Sequence, residues 1–367
     1  MNPLPLIALL LLAGPVRAQT TAPLQPDSVH TAPRTLPSSP LTLYLFLDAY
    51  YGHDLTGRLP DRPAFLYSHD RAYELTANNA ILGARYQGKS VRGALALHAG
   101  TYVVANYAAE PTRLRYLYEA YAGFRPTPTT WLDLGIFPSH IGFESAISKD
   151  NWTLTRSLMA ENSPYYESGA RLTWEATLTL TALALNGWQN IRDLNRAKAA
   201  GWQIQWHPDQ RLLLNSSSFY GNEQPTDSAA RPRYFHNFYA SFAATSRLSL
   251  AAVFDAGLQT RAPRGPGPDT WHTAAFFVRY SLSPRWSTTL RAEYYRATRG
   301  IVISSPAPSP SAPTFLVRAA SLNADYAPAA PLLFRVEARL LHAPSPLFAQ
   351  TDGRPTSTYA NLTSSIA

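Results

Sequence analysis

Hydrophobic and polar residues alternate along most of the chain from Leu41 onward. In residues 332–340, the odd-numbered charged positions Arg335, Glu337 and Arg339 are interleaved with Leu, Phe, Val and Ala. At helical spacing each face would mix charge with leucine, so this alternation predicts a strand with one apolar and one polar face. The same alternation is found in residues 176–184, 248–258 and 286–295.

Short turns and long loops follow one another in a regular order. Seven short turns have an aromatic residue at or near a strand end, namely Tyr86, Phe124 with Trp131, Trp174, Trp206, Phe242, Trp286 and Tyr326. Eight longer segments rich in Pro, Gly, Asp and Ser lie near 52–72, 105–112, 138–164, 189–195, 221–233, 260–270, 298–313 and 343–355. Such an order predicts an all-β fold: a transmembrane antiparallel up-and-down β-barrel of about sixteen strands.

A soluble β-sandwich would also show alternating faces, so alternation alone does not decide between the two folds. Aromatic residues at strand ends favour the barrel, because indole and phenol rings suit a membrane interface and form girdles there. The absence of domain breaks favours it too. A soluble, exported, glycan-binding β-sandwich stays open as an alternative.

The first eighteen residues predict export. An apolar run at residues 4–12 is followed by Val16-Arg17-Ala18, which fits a signal-peptidase cleavage site. Residues 19–40 hold many Pro, Ser and Thr residues and predict a flexible lead-in. The expected organisation is therefore a signal peptide at 1–18, a lead-in at 19–40 and an outer-membrane barrel at 41–367.

Composition narrows the functional classes. The chain is 46% hydrophobic but only 15% charged, with a mean hydropathy of −0.18. It contains no cysteine, which excludes disulfides, thiolate metal sites and a cysteine nucleophile. The net charge of +8 comes without a Lys/Arg cluster or nucleic-acid motif. We therefore expect outer-membrane lipid and lipopolysaccharide, and no nucleic acid, as partners.

If the apolar face contacts lipid, the polar face lines a lumen. The predicted pore-lining residues are Asp48, Arg85, Arg92, Arg115, Glu119, Asp133, Glu167, Arg171, Arg279, Arg291, Glu293, Arg335, Glu337 and Arg339, with His98, Asp255 and Asp325 on the same face. Arginines and carboxylates are equally numerous in this set. Charged rings select solutes in such pores, and the balance here predicts at most a weak preference for anions.

The third long loop, residues 138–164, has aliphatic residues that an outward loop does not need. It carries Glu144, Lys149, Asp150, Arg156 and Glu161. A loop of this length with its own apolar residues is expected to fold. Two interpretations stay open. The loop folds into the barrel and these side chains form a constriction, or it packs over the rim as a structural lid.

Several segments resemble the OmpL-like β-barrel porin family of Bacteroidetes-type bacteria. They are Leu47-Asp48-Ala49-Tyr50-Tyr51, residues 91–107, Glu119-Ala120-Tyr121-Ala122-Gly123 and, most specifically, residues 135–173 with Ile141-Gly142-Phe143-Glu144-Ser145 and Asp150-Asn151-Trp152. The resemblance implies an outer-membrane barrel with porin activity. Barrels of this kind usually end on an aromatic residue, whereas this chain ends at Ile366-Ala367. We therefore expect that the sequence stops short of the natural terminus.

The function expected from the sequence is passive diffusion of small hydrophilic solutes, with insertion by the outer-membrane assembly machinery and a homo-oligomeric state. The alternative is a barrel that anchors loops used for binding or adhesion. No enzymatic activity is expected. Ser139 and His140 are adjacent, but no nucleophile-elbow motif is present. The histidines show no ligand spacing, so neither a metal nor a cofactor is expected.

Overall fold

The computed structural model describes residues 39–57, 59–261, 267–303 and 314–367. The predicted signal peptide at 1–18 lies outside the described residues, as does the lead-in at 19–40 except for its last two residues. The region expected to form the barrel is almost entirely described.

Sixteen antiparallel strands form one closed barrel, in which each strand pairs with its neighbour in sequence and the last strand pairs with the first. The barrel strands are β1 (Leu41–Asp54), β2 (Leu75–Gln87), β3 (Val91–Ala99), β4 (Leu117–Thr127), β5 (Thr130–Pro138), β6 (Tyr166–Glu175), β7 (Leu178–Leu185), β8 (Ala199–Asp209), β9 (Leu212–Asn222), β10 (Pro232–Ala243), β11 (Leu248–Gln259), β12 (Asp269–Ser281), β13 (Trp286–Thr298), β14 (Thr314–Ala329), β15 (Leu332–His342) and β18 (Thr358–Ile366). Closure joins Ala49 to Ile366 and Asp54 to Asn361. The predicted fold and strand number are confirmed.

The remaining elements are short and belong to the long loops. They are α1 (Thr101–Asn106), a 3-10 turn (Ser148–Asp150), α2 (Leu158–Glu161), β16 (Phe348–Ala349) and β17 (Pro355–Thr356). Among the described residues, no helix has the length and apolar character needed to cross a bilayer.

The two faces of the strands have opposite chemistry. Leu43 and Leu45 point outward and are each 75% exposed, whereas Asp48 on the same strand points inward and is fully buried. Closed barrels satisfy all backbone hydrogen bonds between strands, so an apolar outer face can contact lipid without unpaired polar groups. The polar faces of the strands therefore meet inside the barrel.

Aromatic residues cluster on the outer face beside the short turns. Exposed examples are Tyr86, Phe124, Trp174, Trp206, Phe242 and Trp286. Trp131, which the sequence placed with them, is an exception and is buried on the inner face of β5. Its indole ring lies 4.4 Å from the Arg92 guanidinium carbon and 5.2 Å from that of Arg125, so it supports lumen arginines instead.

One glycine on the inner face allows an aromatic ring to lie flat against the wall. Gly257 of β11 is directly opposite Trp271 of β12, and a Cβ atom at Gly257 would overlap the indole ring. The ring also stacks on Phe235 of β10, with centroids 5.9 Å apart. Only glycine leaves room for this packing, because any side chain would displace the ring.

We expect Gly257→Ala to lower the free energy of unfolding by about 1–3 kcal/mol, the usual cost of overpacking. Urea titration of the refolded barrel, followed by tryptophan fluorescence, measures this change. Adding Trp271→Leu to Gly257→Ala removes the overlapping ring atoms and should recover part of the loss. Unchanged stability of Gly257→Ala would contradict the packing argument.

Candidate functional site

The third long loop lies inside the barrel. We call residues 139–165 the inward loop. Arg335 of β15 donates to the backbone carbonyls of Ser148 (2.5 Å) and Asn151 (2.9 Å). Asn323 of β14 accepts from the backbone N–H of Leu154 at 3.0 Å. Inward-facing side chains of the wall thus hold the loop through its backbone, and the interpretation of a lid over the rim is wrong.

Two wall carboxylates bind further backbone N–H groups of the inward loop. Glu337 accepts from Thr155 at 2.6 Å, and Glu293 accepts from Leu158 at 2.6 Å. Charge-assisted hydrogen bonds of this kind are about twice as strong as neutral ones. The loop therefore has a fixed path along the β13–β15 wall.

Arg291 of β13 is the centre of this network. Its guanidinium lies 2.9 Å from Glu293, 2.7 Å from Glu337 and 3.7 Å from Glu144 of the inward loop. It also donates to the Thr155 carbonyl at 2.6 Å. All three carboxylates are buried, and Arg339 brings a second guanidinium to within 2.9 Å of Glu293.

The structure corrects the roles expected for three charged residues of the loop. Glu144, Arg156 and Glu161 are buried and do not face a solute path. Burial raises the pKa of the Glu144 carboxyl, although Arg291 acts in the opposite direction. Arg156 donates to the carbonyls of Ser145 (3.1 Å) and Ala146 (2.5 Å). These side chains fix the conformation of the loop.

The other two predicted constriction residues are accessible. Lys149 is exposed and Asp150 is partly exposed, both in the 3-10 turn of the inward loop. Of the five residues, only this adjacent pair can present charge to a solute.

Apolar residues of the inward loop pack against the neighbouring part of the wall, strands β10 to β12. Phe143, Trp152 and Met159 form a buried cluster with Tyr239, Val253 and Phe277 of β10, β11 and β12, together with small alanines. The ring centroids of Phe143 and Phe277 are 5.3 Å apart. The loop therefore contacts a broad arc of the barrel from β10 to β15 and narrows the lumen there.

Sequence reasoning missed that the first long loop, residues 55–74, also turns inward. Glu161 accepts from the backbone N–H of Tyr67 at 3.0 Å, and Asn162 donates to the Phe65 carbonyl at 3.2 Å. Asp48 of β1 joins both loops, because it contacts His69 (2.9 Å) and Ser148 (2.7 Å). The continuous apolar and aromatic run Ala64-Phe65-Leu66-Tyr67 in this loop was the available signal.

A large apolar cluster lies inside the loop-side half of the barrel. Its inward-facing strand residues include Phe219, Phe235, Trp271, Phe315 and Leu341, and loop residues Phe65, Leu66, Ile141, Leu158, Ile301, Ile303 and Phe348 pack on them. Burial of this much apolar surface stabilises the inward position of the loops.

Three arginines form the accessible charge of the turn-side lumen. Arg85 pairs with Glu119 at 2.7 Å, while Arg92 and Arg171 share Asp133 at 2.7 and 2.9 Å. The arginine side chains are 28%, 15% and 19% exposed, whereas Glu119 and Asp133 are 1% and 0% exposed. The carboxylates lie beneath the guanidinium groups, so water in the lumen meets positive charge.

Aromatic rings support the same arginines from the wall. The Arg85 guanidinium carbon lies 4.6 Å from the Tyr44 ring, and that of Arg171 lies 4.4 Å from Phe137. Cation–π contact holds a guanidinium flat against the wall while its edge stays accessible. Arg279 of β12 likewise lies above a buried carboxylate, with its guanidinium 3.7 Å from Asp325.

The remaining predicted pore-lining residues have other surroundings. Arg115 lies in the loop before β4 and donates to the carbonyls of Glu110 and Ala108. His98 contacts the Arg115 carbonyl at 2.9 Å. Asp255 accepts from Asn237 at 2.5 Å. Arg335 pairs with Asp325 and Arg339 with Glu293, 2.8 and 2.9 Å apart respectively, beneath the inward loop.

The adjacent Ser139 and His140 do not form a hydrolytic pair. Ser139 donates to Glu167 at 3.2 Å, and His140 Nε2 lies 2.8 Å from the Ser218 carbonyl. Burial lowers the pKa of His140 to about 4, so its neutral ring donates to that carbonyl. Within the described residues, no group of three or more His, Asp or Glu side chains could hold a metal ion.

A family model described as "Putative beta-barrel porin-2, OmpL-like" matches residues 40–367. The chain belongs to this OmpL-like family. Among curated proteins, no relative of this OmpL-like chain is found.

Solved outer-membrane proteins share the fold of this OmpL-like barrel. OmpT of Vibrio cholerae is 10% identical, with a TM-score of 0.57 over 90% of this chain and 98% of that one. OmpF of Salmonella typhi, in complex with daunomycin, is 12% identical, with a TM-score of 0.55 over 88% and 96%. OprB of Pseudomonas putida is 10% identical, with a TM-score of 0.55 over 89% and 93%.

Family and fold together identify the protein as an OmpL-like β-barrel of the outer membrane. They indicate a channel rather than an enzyme. Short turns then face the periplasm and long loops face outward, as in bacterial barrels generally.

Proposed function

We propose that the protein is a passive channel for small hydrophilic solutes that favours anions. The observation that carries this proposal is the partly exposed set of Arg85, Arg92 and Arg171 above buried carboxylates. Although the inward-facing charges balance in number, an ion in the lumen feels the nearer guanidinium groups more strongly than the carboxylates behind them. Their accessible edges also match carboxylate and phosphate groups.

In this proposal the inward loop sets the size limit. It contacts the wall from β10 to β15, and it carries the exposed cation Lys149. Charged constrictions of this kind discriminate solutes by size and charge.

Planar bilayers and liposome swelling test the channel directly. Refolded protein in a bilayer with a KCl gradient should give a reversal potential of the sign expected for anion preference. Liposomes containing the protein should swell in small sugars and lose this uptake as sugar size increases. The absence of conductance and of swelling at every size would contradict the channel.

A second candidate is a barrel that anchors its loops for binding or adhesion. The apolar cluster in the loop-side half favours it, because Phe65, Ile301 and Phe348 join three different long loops into one packed unit. Loops with a shared core present a fixed outer surface. Cell or glycan binding by protein that shows no conductance would support this candidate over the channel.

We further propose that the barrel forms a homo-oligomer and reaches the membrane through the assembly machinery. A solved form of Vibrio cholerae OmpT is described as a trimer. Sedimentation of this protein in detergent, compared before and after heating, would measure its own oligomeric state.

A further inference from the structure

Two unpaired arginines interrupt an otherwise uncharged lipid-facing surface. Across all sixteen barrel strands, the outward-facing positions carry two residues with a permanent charge, Arg296 of β13 and Arg318 of β14. Within the part of the chain that the structure describes, neither guanidinium has an ion pair or hydrogen bond. Every other strand arginine faces the lumen.

The two arginines are neighbours on the sheet. Arg296 is directly opposite Leu316, and Arg318 is two residues further along β14. Such diagonal positions are about 7–8 Å apart, within reach of long side chains. Two guanidinium groups can therefore contact one ligand.

Histidines extend this pair on both sides. His272 of β12 is directly opposite Arg296, and His342 of β15 is directly opposite Arg318. The His272 ring also stacks on Tyr294, with centroids 5.7 Å apart. We call His272, Arg296, Arg318 and His342 the outer cationic patch.

The outer cationic patch lies near the long-loop end of the barrel. Arg296 is two residues from the end of β13, and His342 is the last residue of β15. Below the patch, towards the short turns, the outward residues are apolar and include the paired alanines Ala292 and Ala320. The patch thus lies at the outer membrane interface, where a lipid-facing charge costs far less than at the bilayer midplane.

The rim above the patch carries a further group of arginines. Arg231, Arg261 and Arg299 surround a single carboxylate, Asp269 at the start of β12. Asp269 is buried and has the parity of the inward-facing Trp271, so this rim cluster lies next to the patch without belonging to the lipid-facing surface.

We propose that the outer cationic patch binds the phosphate groups of an outer-leaflet glycolipid, the anchor of lipopolysaccharide. Arginine binds phosphate through paired hydrogen bonds, and unpaired guanidinium groups at a membrane interface need such an anion. The small side chains of Ala292 and Ala320 leave space on the barrel surface below for an acyl chain. This proposal does not depend on channel activity, because the patch faces away from the lumen.

Native mass spectrometry of the refolded barrel tests the proposal with three probes: the phosphorylated glycolipid anchor, the same glycolipid after dephosphorylation, and inorganic phosphate. Arg296→Gln with Arg318→Gln should weaken binding of the phosphorylated glycolipid at least tenfold. Dephosphorylation of the ligand should produce a similar loss for the unaltered protein.

Arg211→Gln with Arg247→Gln is the matched control, because it makes the same charge change in two exposed short turns on the other side of the membrane. It should leave glycolipid affinity unchanged. Unaltered conductance and heat-modifiable gel mobility of Arg296→Gln/Arg318→Gln would show that the barrel is intact. If the double variant does not fold, each single variant should show part of the loss.

Three outcomes would overturn the proposal. One is equal glycolipid affinity of the double variant and the control. A second is equal binding of the dephosphorylated glycolipid, and a third is competition by inorganic phosphate as strong as that of the glycolipid. A change in the oligomer with unchanged glycolipid affinity would assign the patch to contact between copies instead.

Discussion

Arg291→Met is expected to lower the free energy of unfolding by about 3–5 kcal/mol, the cost of removing one partner from a buried ion network. The substitution leaves Glu337 and Glu144 without the guanidinium that lies 2.7 and 3.7 Å from them, while Glu293 keeps its pair with Arg339 at 2.9 Å. It also removes the hydrogen bond to the Thr155 carbonyl. Urea unfolding of the refolded barrel measures the change in free energy.

Arg279→Met is the matched control for this experiment. Arg279 also faces the lumen, but its partner Asp325 keeps the pair with Arg335 at 2.8 Å. Its removal therefore exposes no uncompensated charge, and a loss below about 1 kcal/mol is expected, as for partly exposed pairs. A similar loss of unfolding free energy in the two variants would show that Arg291 is not the centre of the buried ion network.

Release of the inward loop should accompany this loss of stability. Because Arg291, Glu293 and Glu337 hold the backbone at Thr155 and Leu158, Arg291→Met should increase single-channel conductance and its noise. Adding Glu337→Leu removes one of the orphaned carboxylates and should recover part of the stability. Such non-additivity is the mark of directly coupled residues.

Replacing Arg85, Arg92 and Arg171 together by Gln is expected to lower the anion-to-cation permeability ratio by about tenfold. A unit charge about 4 Å from an ion contributes on the order of 1 kcal/mol in water-like surroundings. Loss of three such groups also exposes the carboxylates of Glu119 and Asp133 to the lumen. The reversal potential in a KCl gradient measures the ratio and should change sign.

The charge-preserving replacement of the same arginines by Lys is the control. It keeps the positive charge but loses the planar stacking on Tyr44 and Phe137. Anion preference should persist in this variant. Equal reversal potentials for the Gln and Lys variants would mean that selectivity arises elsewhere, for example at Lys149.

The inward-facing arginines of the barrel form two groups with different surroundings. On the β13–β15 wall, Arg291, Arg335 and Arg339 are buried and bind the inward loop. On the β2–β6 wall, Arg85, Arg92 and Arg171 stay accessible to water. The same residue type therefore anchors a loop on one side and faces the solute path on the other.

Local patterns in the sequence were sufficient to predict the barrel fold and the order of its strands. Period-two alternation in segments such as 332–340 indicated which face each side chain occupies, and short turns flanked by Tyr86, Trp174 and Trp286 indicated the hairpins. Strand pairing in an up-and-down barrel joins sequence neighbours, so the order of strands follows from the order of turns. For this reason the turns and loops of the sequence were enough to predict the number of strands.

Tertiary structure alone decided which inward charges reach water. Glu144, Arg156 and Lys149 are all charged residues of the same loop, and the sequence does not distinguish them. In the structure Glu144 and Arg156 are buried, whereas Lys149 is exposed. Exposure depends on where the loops at 55–74 and 139–165 lie, and these contacts join residues as distant as Ser148 and Arg335. No local periodicity encodes such contacts. A strand pattern specifies the face of a residue, whereas burial on that face depends on what packs against it.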